Sequence, residues 1–194
     1  MKTVSIKGTA REAVGKKASK ALRAEGLVPC VLYGGEEIVH FAASDAEFRK
    51  IIYTPNVYMI NLQIDGKETM AIMQASQFDP VTDEVIHIDF LHVSDDKPVK
   101  IDVPVKLEGF AKGIQQGGKL KLNLRTLRVK ALAKDLPDFI TLDVTNLGLG
   151  ESARVGDIQV EGLTLLQNPS VPVATVMITR AARAAMSAAK TGKE

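Results

Sequence analysis

Three cations recur at helical spacing near the N-terminus of this chain. Lys16, Lys20 and Arg23 stand at positions i, i+4 and i+7, so a helix would carry them on one face. Ala18 and Leu22 mark an adjacent side that can pack against the rest of the protein. One interpretation is a helix face that is simply solvated. The other is contact with nucleic-acid phosphates, which would supply affinity and salt dependence rather than sequence discrimination.

A histidine and an aspartate alternate with apolar residues in the segment "VIHIDFLHV", residues 85–93. On a strand, the apolar side chains at 86, 88 and 90 share the core face, so His87 and Asp89 point away from it. Three roles remain open for this pair. The two side chains are merely exposed, or they hydrogen-bond each other, or they contact bases and 2′-hydroxyls of a bound RNA.

Tyr33, Gln74 and Gln77 are further candidates for polar contacts. Tyr33 ends the apolar run "LVPCVLY" just before two glycines, where a tyrosine commonly packs at a barrel rim with its hydroxyl in water. The alternative is contact with a ribose or a phosphate. Gln74 and Gln77 can offer amide groups to bases, although each of them alone would be taken for an ordinary exposed polar residue.

The motifs that mark common enzymes and metal sites do not occur in the chain. There is no G-x-S-x-G, H-E-x-x-H, Walker or G-x-G-x-x-G motif placed before a helix, and no nucleophile accompanies the His87–Asp89 pair. His92 falls on the strand face opposite His87, so we expect no metal site. The single cysteine, Cys30, excludes an intramolecular disulfide, and its apolar strand predicts a buried structural thiol. We therefore expect no catalytic residues and no cofactor.

The small net charge of +2 conceals an uneven distribution. Residues 1–25 hold seven Lys/Arg and two Asp/Glu, whereas residues 26–98 hold four and twelve. A bulk-charge argument for nucleic-acid binding therefore fails, but a basic segment on an acidic module indicates a directed patch. No apolar run is long enough to span a membrane, and "MKTVSIKGTA" lacks a secretory signal, so we expect a cytoplasmic protein with no membrane partner.

Alternating strands separated by turn residues predict a mainly β fold. A first domain, 1–95, is expected to form a small β-barrel with two short helices, one over 16–25 and one that begins at Ser44 with Glu47 completing a capping box. Asp65-Gly66 predicts a hairpin turn. The polar segment 94–100 is typical of a linker. Residues 96–180 are expected to form an all-β domain, and 181–194 a basic, alanine-rich tail.

Taken together, several segments resemble one known family. They are "GKKASKALRAEGLVPCVLYGG", "MQASQFDP", "HIDFLHV", "VPVKLEGFAKGIQQGG" and "DVTNLGLGESARVGDI". Their order and combination, over residues 1 to about 180, are similar to bacterial large-subunit ribosomal protein number twenty-five in its longer, general stress protein CTC form, a family that binds 5S ribosomal RNA.

The resemblance implies a barrel domain that binds 5S rRNA near loop E, in the central protuberance of the large ribosomal subunit, beside other 5S-associated ribosomal proteins. The family's RNA-binding positions match this sequence at Arg11, Lys16, Ser19, Arg23, Tyr33, Gln74, His87 and Asp89. Lys20 stands where many members carry arginine, so it keeps the charge but loses the planar fork. We include Lys20 and Gln77 as RNA-binding candidates from the pattern itself. The resemblance implies no small-molecule substrate.

Three hypotheses about function follow. The first is a non-catalytic structural constituent of the ribosome that binds rRNA. The second is a stress-related module for protein–protein interaction, in which the C-terminal domain acts and RNA binding is secondary. The third is an enzyme. Binding to 5S rRNA measured as a function of salt separates the first two.

Overall fold

The computed structural model describes residues 2–160, 162–180 and 182–184. The chain forms two compact units. One extends from the N-terminus to Ile101 and takes in Ala131–Asp138; the other comprises Asp102–Lys130 and the described residues from Phe139 onward. Of the tail predicted for 181–194, only 182–184 belong to the described residues, so the remainder of that prediction lies outside them.

The first unit is built on a closed six-stranded barrel. The strand order around it is β1-β3-β2-β6-β5-β4; β1 runs parallel to β4 and β2 parallel to β6, while the other neighbours are antiparallel. Its elements are β1 Lys2–Ala10, α1 Lys16–Ala24, β2 Leu27–Tyr33, β3 Val39–Ser44, α2 Asp45–Ile52, β4 Tyr58–Ile64, β5 Lys67–Phe78 and β6 Val85–His92.

The barrel interior is filled with apolar side chains. Phe41, Phe48 and Phe90 are each at most 1% exposed, and the Phe90 ring centroid lies 5.6 Å from that of Phe41 and 6.1 Å from that of Phe48. Isoleucine and leucine side chains from β1, β4 and β6 complete the core. A six-stranded barrel leaves room inside only for side chains. Binding therefore has to occur on the outer surface of this unit.

Local sequence signals account for the turns and helix ends of the barrel. Asp65 and Gly66 have φ values of 48° and 84°, the left-handed pair that a tight hairpin turn needs. Gly26, at φ 75°, terminates α1, and its N–H donates to the Arg23 carbonyl oxygen at 3.1 Å. The capping box predicted for α2 is wrong. Ser44 is the N-cap residue but its side chain makes no cap bond, and the Glu47 carboxylate accepts from the backbone N–H of Lys7 at 2.8 Å.

The second unit contains two further sheets. A four-stranded sheet has the order β10-β7-β9-β12, and a three-stranded sheet has the order β11-β13-β8. The elements are β7 Val99–Glu108, α3 Lys112–Gln115, β8 Lys119–Leu122, β9 Thr126–Ala131, β10 Ile140–Asp143, β11 Ser152–Arg154, β12 Thr164–Leu165 and β13 Pro172–Met177. A short 3-10 turn occupies Val155–Asp157 in this unit, and another, Ala133–Asp135, lies in the segment that belongs to the first unit. The mainly β fold, with an N-terminal barrel that carries two short helices, confirms the predicted fold class.

Candidate RNA interface

The pairing of β5 with β6 contains two irregularities that shape the outer surface of the barrel. Met73 pairs with Phe90 and Ala75 with Asp89, which leaves Gln74 as an extra, exposed residue on β5. Gln77 then pairs with His87 and Phe78 with Val85, which leaves Ile86 as an extra residue on β6. Such bulges bend a strand and redirect its side chains. One consequence is that Gln77 lies directly beside His87 on the outer face.

His87 and Asp89 contact each other on that face. The His87 Nδ1 atom lies 2.9 Å from the Asp89 Oδ1 atom, and the two side chains are 24% and 29% exposed. Of the three roles left open by the sequence, the structure thus supports a direct contact between the two side chains, at a distance that suits a hydrogen bond. When Nδ1–H donates to the carboxylate, the Nε2 atom of the same ring is left for an external partner.

Tyr33 borders this pair from the neighbouring strand. Val31 on β2 pairs with Asp89, so Tyr33, two residues further along, lies on the same outer side. Its partial burial, together with the negative charge of Asp89, raises the pKa of the Tyr33 hydroxyl. The phenol is therefore a protonated donor at neutral pH. We call Tyr33, Gln77, His87 and Asp89 the polar barrel face.

Helix α1 lies beside β2 and presents its cations to solvent. Lys16, Lys20 and Arg23 are exposed, while Ala18 and Leu22 are half-buried, as the predicted helix faces require. Arg23 is also fixed at its tip, because its Nε–H donates to the Ile86 carbonyl oxygen at 3.1 Å. That carbonyl belongs to the residue that has no partner in the β5–β6 ladder. The bond therefore places a guanidinium next to the polar barrel face.

Arg11 and Ser19 form a second contact at this helix. The Arg11 backbone N–H donates to the His40 carbonyl oxygen at 2.9 Å, and its Nη1 donates to the Ser19 Oγ at 3.3 Å. The Nε atom of Arg11 is buried without a hydrogen-bond partner among the described residues. Arg11 therefore ties β1 to α1 while one of its donors stays unused.

The structure thus brings the candidates together in two groups. The first group is the polar barrel face, to which Arg23 is bonded, with Gln74 at the β5 bulge between Met73 and Ala75. The second group lies at α1: Arg11 and Ser19 are bonded to each other, and Lys16 and Lys20 are exposed. Sequence reasoning missed the Ile86 carbonyl, since a backbone acceptor leaves no mark in residue type. Among the residues described, no cluster of three His, Cys, Asp or Glu side chains is arranged to hold a metal ion. Likewise, none of the described helices is long and apolar enough to cross a membrane.

Both units match known ribosomal protein domains. Residues 6–90 match the Ribosomal L25p family, and residues 98–180 match the domain described as "Ribosomal protein TL5, C-terminal domain". The barrel unit and the unit that follows it are therefore both of ribosomal protein type.

Full-length relatives give the same result. A protein from Bacteroides fragilis named "Large ribosomal subunit protein bL25" is 45% identical over 194 residues, which cover 97% of this chain and 99% of the relative. Proteins of the same name from Parabacteroides distasonis and Porphyromonas gingivalis are 46% and 47% identical, over 96% and 95% of this chain and 99% and 97% of theirs. The chain belongs to the bL25 family of bacterial large-subunit ribosomal proteins.

Family membership decides three of the predictions. The resemblance inferred from the sequence is confirmed. The prediction of a non-catalytic protein is also confirmed, because members of this ribosomal protein family are structural components and not enzymes. The predicted location on cytoplasmic ribosomes follows from the same membership.

Proposed function

We propose that this chain, as a structural constituent of the large ribosomal subunit, binds 5S rRNA through α1 and the polar barrel face. The proposal extends to the loop E region of that RNA, in the central protuberance, with other 5S-associated ribosomal proteins in the same subcomplex. The observation that carries it is the Arg23–Ile86 bond, which joins a basic helix to a face with a paired His87 and Asp89.

Each group on the polar barrel face has a role in this proposal. An RNA duplex offers 2′-hydroxyls and base edges in a wide, shallow minor groove, which suits short polar side chains on a rigid sheet. The His87 Nε2 atom accepts from a 2′-hydroxyl or a base amino group, and the Tyr33 hydroxyl donates. Asp89 orients the His87 ring and can itself accept from a base amino group. Gln77 can both donate and accept.

The cations on α1 supply affinity and orientation. Lys16 and Lys20 have no salt bridge within the described part of the chain, so both are available to phosphates. Because residues 26–98 carry eight more acidic than basic groups, the rest of the barrel repels RNA. This asymmetry favours one docking orientation over the others.

The test is a salt titration of binding to labelled 5S rRNA with the full chain. Lys16→Gln combined with Lys20→Gln should weaken binding and reduce the slope of log K against log salt by about 1.5, since each phosphate contact contributes about 0.7 to 0.9. The matched control is Lys50→Gln with Lys67→Gln, which removes two exposed charges from elsewhere on the same unit. This control should leave the slope near that of the wild type.

Two results would contradict the proposal. Equal slopes for the two double variants would mean that α1 contacts no phosphates. The second result is weak binding to 5S rRNA that no α1 variant changes, while the protein still joins the large subunit normally. This result would favour a protein–protein interaction module instead.

A further inference from the structure

The second unit carries an exposed sheet face that, unlike the polar barrel face, is rich in cations. On the three-stranded sheet, one face buries Ala153, Ala174 and Val176, whereas the other bears cations at its edges. Short polar groups and the exposed Met177, which pairs with Lys119, lie between these cations. We call the outward group the basic sheet face; it consists of Lys119, Lys121, Asn123, Ser152, Arg154 and Thr175.

The strand register places these side chains in adjoining rows. Thr175 on β13 pairs with Lys121 on one side and with Ser152 on the other. Lys119 lies two residues from Lys121, at about 6.6 Å along the strand. Arg154 lies two residues from Ser152, beyond a bulge in β13. The three cations therefore flank a common centre.

Hydrogen bonds hold the centre of this face in place. The Thr175 Oγ1 atom accepts from the Asn123 amide at 2.8 Å and shares a second bond of 2.8 Å with the Ser152 hydroxyl. Hydroxyl and amide groups of this kind commonly donate to phosphate and ribose oxygens. Because they are already ordered, their binding to an external group costs little side-chain entropy.

Three other cations of the unit have an internal partner. Arg128 makes two bonds of 2.8 Å with Asp102, Lys106 lies 3.6 Å from the Phe139 ring centroid, and Lys112 donates to Asn146. In contrast, the side chains of Lys119, Lys121 and Arg154 form no ion pair within the described ranges. The Asp157 carboxylate borders the face at one end, where it accepts from the Arg154 backbone N–H at 2.8 Å.

The charge of the whole unit points the same way. In sequence, residues 102–130 and 139–194 contain twelve Lys/Arg and seven Asp/Glu, a net charge of +5, whereas the rest of the chain is at −3. An uncharged or basic protein segment would gain nothing from three unpaired cations. A polyanion that also accepts hydrogen bonds from the hydroxyl and amide groups between the cations would use both the charge and the donors of this face.

We propose that the basic sheet face binds the phosphate backbone of RNA, as a contact separate from that of the barrel. It reads no bases, since two lysines, an arginine and short hydroxyl and amide groups recognise phosphate and ribose. The rows of paired strands fix the spacing of the cations, and the Ser152–Thr175–Asn123 bonds fix the donors between them.

The test compares the full-length wild type with a triple variant, Lys119→Gln, Lys121→Gln and Arg154→Gln. The probe is a mixed-sequence RNA duplex of about 20 base pairs, long enough to exceed the roughly 16 that a compact RNA-binding domain spans. Fluorescence anisotropy is recorded at salt concentrations from about 50 to 200 mM. The control is Lys106→Gln, Arg125→Gln and Lys130→Gln, which removes three cations of the same unit outside the face. Circular dichroism and thermal unfolding check the fold of each variant.

The expected result is a slope of log K against log salt that is smaller by about 2 to 3 in the face variant, at 0.7 to 0.9 per contact. The control variant should retain the wild-type slope. The proposal is overturned if both triple variants lose the same slope, or if neither does. It is also overturned if a folded face variant keeps its RNA affinity but fails to join the large subunit, because the face would then contact protein.

Discussion

The His87–Asp89 pair allows a test in which geometry and charge predict opposite results. Asp89 is a carboxylate on a surface that we propose to face a polyanion, so charge alone predicts that Asp89→Ala tightens binding to 5S rRNA. A unit charge about 10 Å from a phosphate is worth about 0.4 kcal/mol in water. Salt at about 0.1 M, with a Debye length near 10 Å, reduces this to roughly 0.15 kcal/mol.

In Asp89→Ala the His87 ring also loses its orienting partner, which weakens binding by more than the lost charge strengthens it. The 2.9 Å contact between the His87 Nδ1 and the Asp89 Oδ1 holds the ring, and when Nδ1–H donates to the carboxylate, Nε2 is the outward acceptor. A hydrogen bond to a charged group contributes about 1.5 to 3 kcal/mol, and we discount this to about 1 kcal/mol because both side chains are partly exposed. We therefore expect Asp89→Ala to weaken 5S rRNA binding about fivefold.

A double-mutant cycle of His87→Ala and Asp89→Ala measures this coupling. If Asp89 acts through His87, the double variant should be weaker than the wild type by less than the two single effects combined, with a coupling of about 0.5 to 1.5 kcal/mol. Glu37→Ala, which removes an exposed carboxylate that has no histidine partner, is the control and should tighten binding slightly. Tighter binding by Asp89→Ala, or strict additivity in the cycle, would refute the orienting role.

Two further predictions concern the barrel core. Phe90→Ala should lower the free energy of unfolding by about 3 to 5 kcal/mol in urea titrations, because Phe90 is fully buried between Phe41 and Phe48. Phe78→Ala is the control and should lower that free energy much less, since the Phe78 side chain is 40% exposed. Equal losses in the two variants would contradict the packing. Burial raises the pKa of the Cys30 thiol, so that the thiol stays protonated at pH 8, and we expect an aromatic disulfide reagent to react with it only after unfolding in guanidinium chloride; rapid reaction of the native protein would show that the site is open.

Periodicity and turn chemistry predicted the elements that depend on near neighbours. The alternation in 85–92 correctly separated Ile88 and Phe90, which are fully buried, from His87 and Asp89, which lie outside. It also placed Ile86 on the core face, but the bulge leaves Ile86 half-buried and Val85 is buried instead. Asp65-Gly66 identified its hairpin because few residue pairs adopt two positive φ values. These signals suffice for a mainly β fold with a barrel, since each strand needs only one apolar face to define its orientation.

Longer-range contacts overrode local signals elsewhere. Glu47 has the spacing of a capping box with Ser44, yet its carboxylate accepts from the backbone N–H of Lys7 on β1 at 2.8 Å. Nothing in residues 44–47 could indicate that competitor. The same holds for Arg11 and Ser19, whose contact depends on how α1 packs beside the barrel. Sequence reasoning could name these residues as candidates but could not say that they would bond to each other.

The irregular ladder between β5 and β6 shows why the candidate site could not be assembled from strand periodicity alone. In an unbroken register, Ile86 would have a partner on β5, and its carbonyl could be engaged in the ladder. The bulge leaves Ile86 unpaired, and Arg23 binds its carbonyl oxygen. The same register places Gln77 beside His87, and the buried side chains of β6 prevent the strand from slipping. The register and the Arg23 bond therefore hold the polar barrel face in place, which would lower the entropy cost of the RNA docking that we propose.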